Sequence, residues 1–299
     1  MRVTQSMLSN NMLRHLMNSQ GKMDKYLEQL YTGKKIRRPS DDPVIAMKGM
    51  NYRSQVVEVE QFKRNTAEVH NWMDNSEAAL NEAIHTMQRM RELAVQASNG
   101  TYTEDELRNI REEVEQLREH LIDLANTNVN GKYIFNGTNT TEPPIVLDGT
   151  TGEITSYPES TTPVNIQVYS GITIPANVPG EDVFNQELFE NIDRLIGHLD
   201  SDLDADEPIE IGNSLEELDT SIDQLINARA DLGARMNRLE LIENRLDQQE
   251  IIATRTMSEN EDVHFEEAIT NLITQESLHR AALSAGARII QPTLIDFLR

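Results

Sequence analysis

Lys34, Lys35, Arg37 and Arg38 fall within five residues, and Ser40, Asp41, Asp42 and Pro43 follow at once. Bases beside a helix start can hold a phosphate. That chemistry needs more than charge. Neither G-x-x-x-x-G-K-[ST] nor G-x-G-x-x-G is present, and Gly33 alone builds no anion nest. An architectural reading accounts for more of the residues. Gly33 sits where a C′ glycine ends a helix, with Lys34 and Lys35 at its negative dipole end. Asp42 precedes proline and is therefore biased to extended backbone, the N-cap conformation. Pro43 then takes the first helical position, where its missing N–H costs nothing. Gly33, Lys34, Lys35, Arg37, Arg38, Ser40, Asp41, Asp42 and Pro43 together read as a hinge that also contacts neighbouring subunits.

Other chemistry is weaker. Asp200, Asp202 and Asp204 have the D-x-D-x-D rhythm of a calcium loop, but Ala205 stands where glycine is required and Ile211 where glutamate is. The run reads as a solvated acidic connector. The seven histidines form no H-E-x-x-H. Three Glu-x-x-His pairs occur: Glu82/His85, Glu261/His264 and Glu276/His279. Carboxylate metal sites in helical bundles use such pairs, pointing inward from two helices. Glu82 and His85 lie off their helix's seam and should face out. Glu276 and His279 fall in step with Phe265, Ile269, Leu272 and Leu283, on a helix expected to lack a core. Trp72 reads as core. Ten of the twelve methionines lie in the first 90 residues, which suits adaptable helix packing. No residue pattern calls for a catalyst, a metal or a cofactor.

These residues sit in a chain of 299 with no cysteine, which excludes disulfides and thiolate chemistry. Residues 1–70 hold 12 Lys/Arg against 7 Asp/Glu, and residues 71–266 hold 12 against 40. So acidic a body argues against nucleic acid or an anionic membrane as partner. The N-terminus lacks the apolar h-region of a secretory signal peptide, so export would need another route.

Helical periodicity marks both ends. Met12, Leu16, Ser19, Met23, Tyr26 and Leu30 step 4-3-4-3-4, a coiled-coil seam. A second seam runs Trp72, Ser76, Ala79, Ala83, Thr86, Met90, Leu93, Ala97, and a third Leu107, Ile110, Val114, Leu117, Leu121, Leu124 behind a Thr103/Glu106 capping box. The longest runs from Leu215 through Leu218, Ile222, Leu225, Arg229, Leu232, Met236, Leu239 and Ile242 to Leu246. Between them the text turns to Gly, Pro, Thr and Asn around short apolar runs. Strands are expected at 133–135, 145–147, 154–157, 164–169 and 172–174. The fold expected is mainly α: a long antiparallel helical rod, built from both chain ends, with a small β-rich insertion. Its parts are a terminal helix 1–32, rod halves 33–136 and 181–262, the insertion 137–180, and a second terminal helix 263–299. Those terminal helices have only each other to pack against and are expected to order on assembly.

Four stretches resemble the flagellin family: "MRVTQSML" at 1–8, "LYTGKKIRRPSDDP" at 30–43, "NARADLGARMNRLE" at 227–240 and "EAITNLITQESLHRAALSAGARIIQPTLIDFL" at 267–298. The loop at 32–43 and the ending "SAGARIIQPTLIDFL" are closer to the family's adaptors between hook and filament than to its filament subunits. The resemblance implies a secreted, non-enzymatic, self-assembling component of the bacterial flagellum, exported by the type III apparatus. It implies as partners copies of itself in a ring, a second hook-associated junction protein, filament flagellin and an export chaperone at the C-terminal helix. A filament-forming flagellin is the alternative.

Overall fold

A computed structural model describes residues 5–98, 103–148, 153–158, 162–201 and 211–290. The chain divides into two compact units, one of residues 1–58 with 249–299 and one of residues 59–248. Six α-helices carry most of it: α1 (Gln5–Thr32), α2 (Pro43–Ala97), α3 (Glu104–Ala125), α4 (Gln186–Ser201), α5 (Ile211–Glu261) and α6 (Phe265–Ile290). No helix among the described residues is long and apolar enough to cross a membrane.

In the second unit the heptad seams become the core. Trp72, Ser76, Ala79, Ala83, Thr86, Met90, Leu93 and Ala97 are all buried on α2, as are Leu107, Ile110, Val114 and Leu121 on α3 and Leu218, Ile222, Leu225, Leu232, Leu239 and Leu246 on α5. Ion pairs show that neighbours run antiparallel. Lys63 meets Asp247, His70 meets Glu243, Glu77 meets Arg229 and Arg91 meets Asp219, one sequence number rising as the other falls. Arg89 to Glu113 with Glu82 to His120, and Arg194 to Glu217 with His198 to Ser214, show the same for α2 with α3 and α4 with α5. At α3 the Glu106 carboxylate reaches back to the Thr103 N–H at 2.8 Å, and the backbone hydrogen bond from Thr103 holds that carboxyl below its ordinary pKa.

Six short strands are seen among the described residues, where five were expected from the sequence. Three antiparallel hairpins form, β1 (Asn128–Val129) with β2 (Lys132–Tyr133), β3 (Val146–Leu147) with β4 (Ile154–Ser156), and β5 (Asn165–Tyr169) with β6 (Ile172–Pro175). The first hairpin was not expected. It turns on Asn130 (φ 54°) and Gly131 (φ 79°), the left-handed pair of a tight hairpin turn. Ile134 and Phe135, expected in a strand, are instead fully buried irregular chain. Ile134, Phe135, Ile145, Val168 and Ile174 join the helical seams in one continuous apolar cluster, so the hairpins share the helices' core. Asn177 stitches the segment together by accepting the Val164 N–H at 2.7 Å and donating to the Gly137 carbonyl at 3.3 Å.

In the first unit, α1 and α6 pair antiparallel. Met12, Leu16, Ser19, Met23, Tyr26 and Leu30 are half-buried and their flanking positions largely exposed, as the seam requires. The α6 side differs from expectation. Ala268, Leu272, Gln275, His279 and Gly286 turn inward, while Phe265, Ile269 and Leu283 are exposed. The reason is local fit. Gln275 donates to Ser19 Oγ at 2.9 Å and His279 Nδ1 lies 3.2 Å from the same oxygen. At Gly286 an added Cβ would sit 1.8 Å from the Met12 terminal methyl. On α6 the small and polar residues Ala268, Gln275, His279 and Gly286 thus meet the apolar seam of α1, and most of the larger apolar residues of α6 are left outside.

Candidate functional site: the loop at residues 33–43

Gly33 ends α1 with φ +70°, its N–H still bonded to the Gln29 carbonyl at 2.9 Å. Pro43 is the first residue of α2. The Asp42 Oδ1 caps that helix, accepting the Val44 N–H at 2.9 Å and the Ile45 N–H at 3.1 Å. Between them the chain turns at 38–41, where the Asp41 carboxylate accepts the N–H groups of Arg38 at 3.0 Å and Arg37 at 3.2 Å. Those two backbone donors hold the Asp41 carboxyl below its ordinary pKa. Ser40 is exposed in this turn.

The other wall of the site is the junction of α5 and α6. The chains meet as a short antiparallel bridge, Lys34 opposite Asp262. Lys35 N–H donates to the Glu261 carbonyl at 2.7 Å and Val263 N–H to the Gly33 carbonyl at 2.9 Å. Side chains tighten it. The Lys34 ammonium donates to Asp262 at 2.7 Å and lies 3.5 Å from Glu261, and the Lys35 ammonium donates to the Glu259 carbonyl at 2.6 Å. Glu261 is only 4% exposed, and Arg53 donates to its Oε2 at 2.7 Å. Its carboxylate lies over Gly49, where a Cβ would be 2.6 Å from Oε1. The glycine makes the room.

Three of the four bases are therefore committed within the chain: Lys34 and Lys35 to this junction and Arg37 to Glu28 on α1. The Arg38 guanidinium makes no ion pair among the described residues. Glu261, Asp262, Arg53 and Gly49 had no signature in the sequence beyond the misleading Glu261/His264 spacing. Of the Glu-x-x-His pairs, Glu82 and His85 are exposed, Glu261 belongs to the clasp, and Glu276 pairs with Arg280. Among the described residues no group of three or more His, Asp or Glu could hold a metal. Asp202, Asp204 and Ala205 of the acidic run lie outside them.

The hydrogen bond from Lys34, then that from Ser258, lowers the Asp262 pKa, and the Asp262 hydrogen bond raises that of Lys34. A depressed carboxyl contributes stability above its ordinary value of 3.8 and loses it as pH falls through the lower folded value. The Asp262 carboxyl resonance is expected to titrate below 3.8, and Lys34→Met to move it back up; no movement in that variant would show the ion pair to be inert.

Comparison with known proteins finds matches at both ends of the chain. The family model of the bacterial flagellin N-terminal helical region matches residues 3–140, and that of the C-terminal helical region matches residues 215–298. Flagellar hook-associated protein 3 of Escherichia coli K12 is 27% identical over 94% of this chain and 94% of its own. Flagellin of Bacillus subtilis 168 is 28% identical over the full length of both. The crystal structure of flagellar hook-associated protein 3 from Legionella pneumophila superposes with a TM-score of 0.63, covering 70% of this chain and 98% of that one at 16% identity.

Proposed function

We propose that this chain, which belongs to the bacterial flagellin family, is a structural adaptor at the junction of flagellar hook and filament. It acts by self-association rather than catalysis. The observation that carries this is the apolar surface that the α1/α6 pair leaves uncovered. Met17 is 70% exposed and Tyr31 93%, and Phe265, Ile269, Ile273, Leu278 and Leu283 are likewise uncovered. Apolar faces of that extent on paired helices call for further copies to cover them. In the assembled flagellum these helices line the inner tube of a ring of copies, with the hinge at 33–43 joining them to the outer layer. The neighbours on either side are the second hook-associated junction protein and filament flagellin. The chain reaches that place unfolded, through the type III apparatus, with an export chaperone on its C-terminal helix. The adaptor reading is supported by the near full-length match to hook-associated protein 3 and by the form of the loop.

The full-length match to the Bacillus flagellin favours a second reading, a filament subunit. Gene deletion separates the two. A junction protein's loss leaves bare hooks while a distinct flagellin accumulates in the medium; loss of the bulk filament protein itself would establish the filament reading. Removal of residues 263–299 is expected to reproduce the deletion, and normal motility in that variant would overturn self-association through α6.

A further inference from the structure

Resting on self-assembly as proposed above, we infer that the cleft beside residues 36–53 is the acceptor for one face of α5 in a second copy, centred on Ile226 and Asp223. The cleft has a volume of about 230 Å³, room for one aliphatic side chain. Ile36, Pro39, Ile45 and Met50 line it, and so do the charged Arg37, Arg38, Arg53 and Glu261, three bases against one acid. Val44, Met47 and Met50 extend the apolar surface along the exposed side of α2. Methionine surfaces adapt to whatever helix they receive. Charge decides what kind of helix that is. Among the described residues no acceptor takes the five guanidinium donors of Arg38, and Arg53 uses only part of its set on Glu261. An apolar slot under arginines fits an apolar residue flanked by carboxylates.

The chain carries such a face in its second unit. Ile226 on α5 is 44% exposed, against the fully buried Leu225 beside it. Asp223 lies one turn before it and Glu216 two turns before that, on the same side of the helix. Both carboxylates are exposed and neither makes an ion pair among the described residues, whereas Glu217 and Asp219 between them are paired to Arg194 and Arg91. Among the described residues, then, Asp223, Glu216 and Arg38 are all without an ion pair. In a chain of net charge −23, this pairing also brings the basic end of one copy to the acidic body of the next.

The chain has no native cysteine, so the contact can be read directly. Two differently tagged copies are co-expressed, one with Arg38→Cys and the other with Asp223→Cys, and isolated flagella are oxidised. A disulfide joining the two tags is expected, and none when Asp223→Cys is replaced by Glu119→Cys on the exposed face of α3. In parallel, Arg38→Glu is expected to reduce the amount of this protein in flagella about three- to tenfold, since exposed pairs are individually modest and reversal adds repulsion. Combining it with Asp223→Arg should restore most of that loss. Protein present in flagella with no mixed-tag disulfide, equal cross-linking in the control, or no recovery in the combined reversal would each overturn this contact and leave the junction reading standing. Absence of the unsubstituted protein from flagella would overturn both.

Discussion

Gly180→Ala is expected to destabilise the second unit by about 3 kcal/mol. A Cβ at this position would lie 2.2 Å from the carbonyl oxygen of Phe135 and 2.9 Å from the Pro158 ring. The first of these is backbone, in a segment buried on both sides, and it cannot swing away as a side chain would. Gly180 also accepts the Phe184 N–H at 2.7 Å, and Phe184 packs edge-on against Phe135 with centroids 5.0 Å apart. Moving the carbonyl therefore disturbs the aromatic pair that fills this end of the core. Thermal unfolding should fall by roughly 10 °C for a unit of this size. An unchanged melting temperature would mean that the close approach relaxes at no cost.

Lys34→Met with Arg53→Met is expected to cost up to about 3–5 kcal/mol locally, because it leaves the Glu261 carboxylate buried with neither cation. Glu261→Gln should cost about 1 kcal/mol, although it removes the same ion pairs. The asymmetry comes from burial. The Glu261 side chain is 5% exposed, while those of Lys34 and Arg53 are 39% and 62% exposed and regain water when the acid is gone. Hydrogen exchange of the Lys35 and Val263 amides reports the clasp itself, since these are its two main-chain donors. Strong loss of protection in the double variant and mild loss in Glu261→Gln is the expected pattern. Equal loss in both would show that the cations matter only as partners of the acid, and that burial adds nothing.

The helices could be read from the sequence because their apolar spacing is their core. Every position of the Trp72–Ala97 seam is buried, since these residues pack on partners with the same period. Asp42-Pro43 and Gly33 were equally legible, because caps are local chemistry. The α6 face was not. Its larger apolar residues marked a helix correctly but pointed away from α1, and nothing in the spacing says that Ser19, Gln275 and His279 prefer one another. The Asn130-Gly131 turn was a readable signal for the first hairpin. Half of the clasp was beyond local reading altogether. Lys34 and Asp262 stand 228 residues apart, and a single acidic residue among 50 carries no mark of the partner it will meet.

That separation also sets an order of events. The strand-like bridge from Gly33–Lys35 to Glu261–Val263 needs both chain ends, so a chain emerging end-first has one side of it present long before the other. Closing so large a loop unaided would cost several kcal/mol of chain entropy, on the order of 5. Antiparallel zippering of α2 onto α5 removes most of that cost, because it carries the two junctions to the same place. The bridge can therefore form only once Glu261–Val263 have been brought to Gly33–Lys35. A chain truncated before Glu261 would zip its second unit but never close the turn at Gly33, and its α1 would remain untethered.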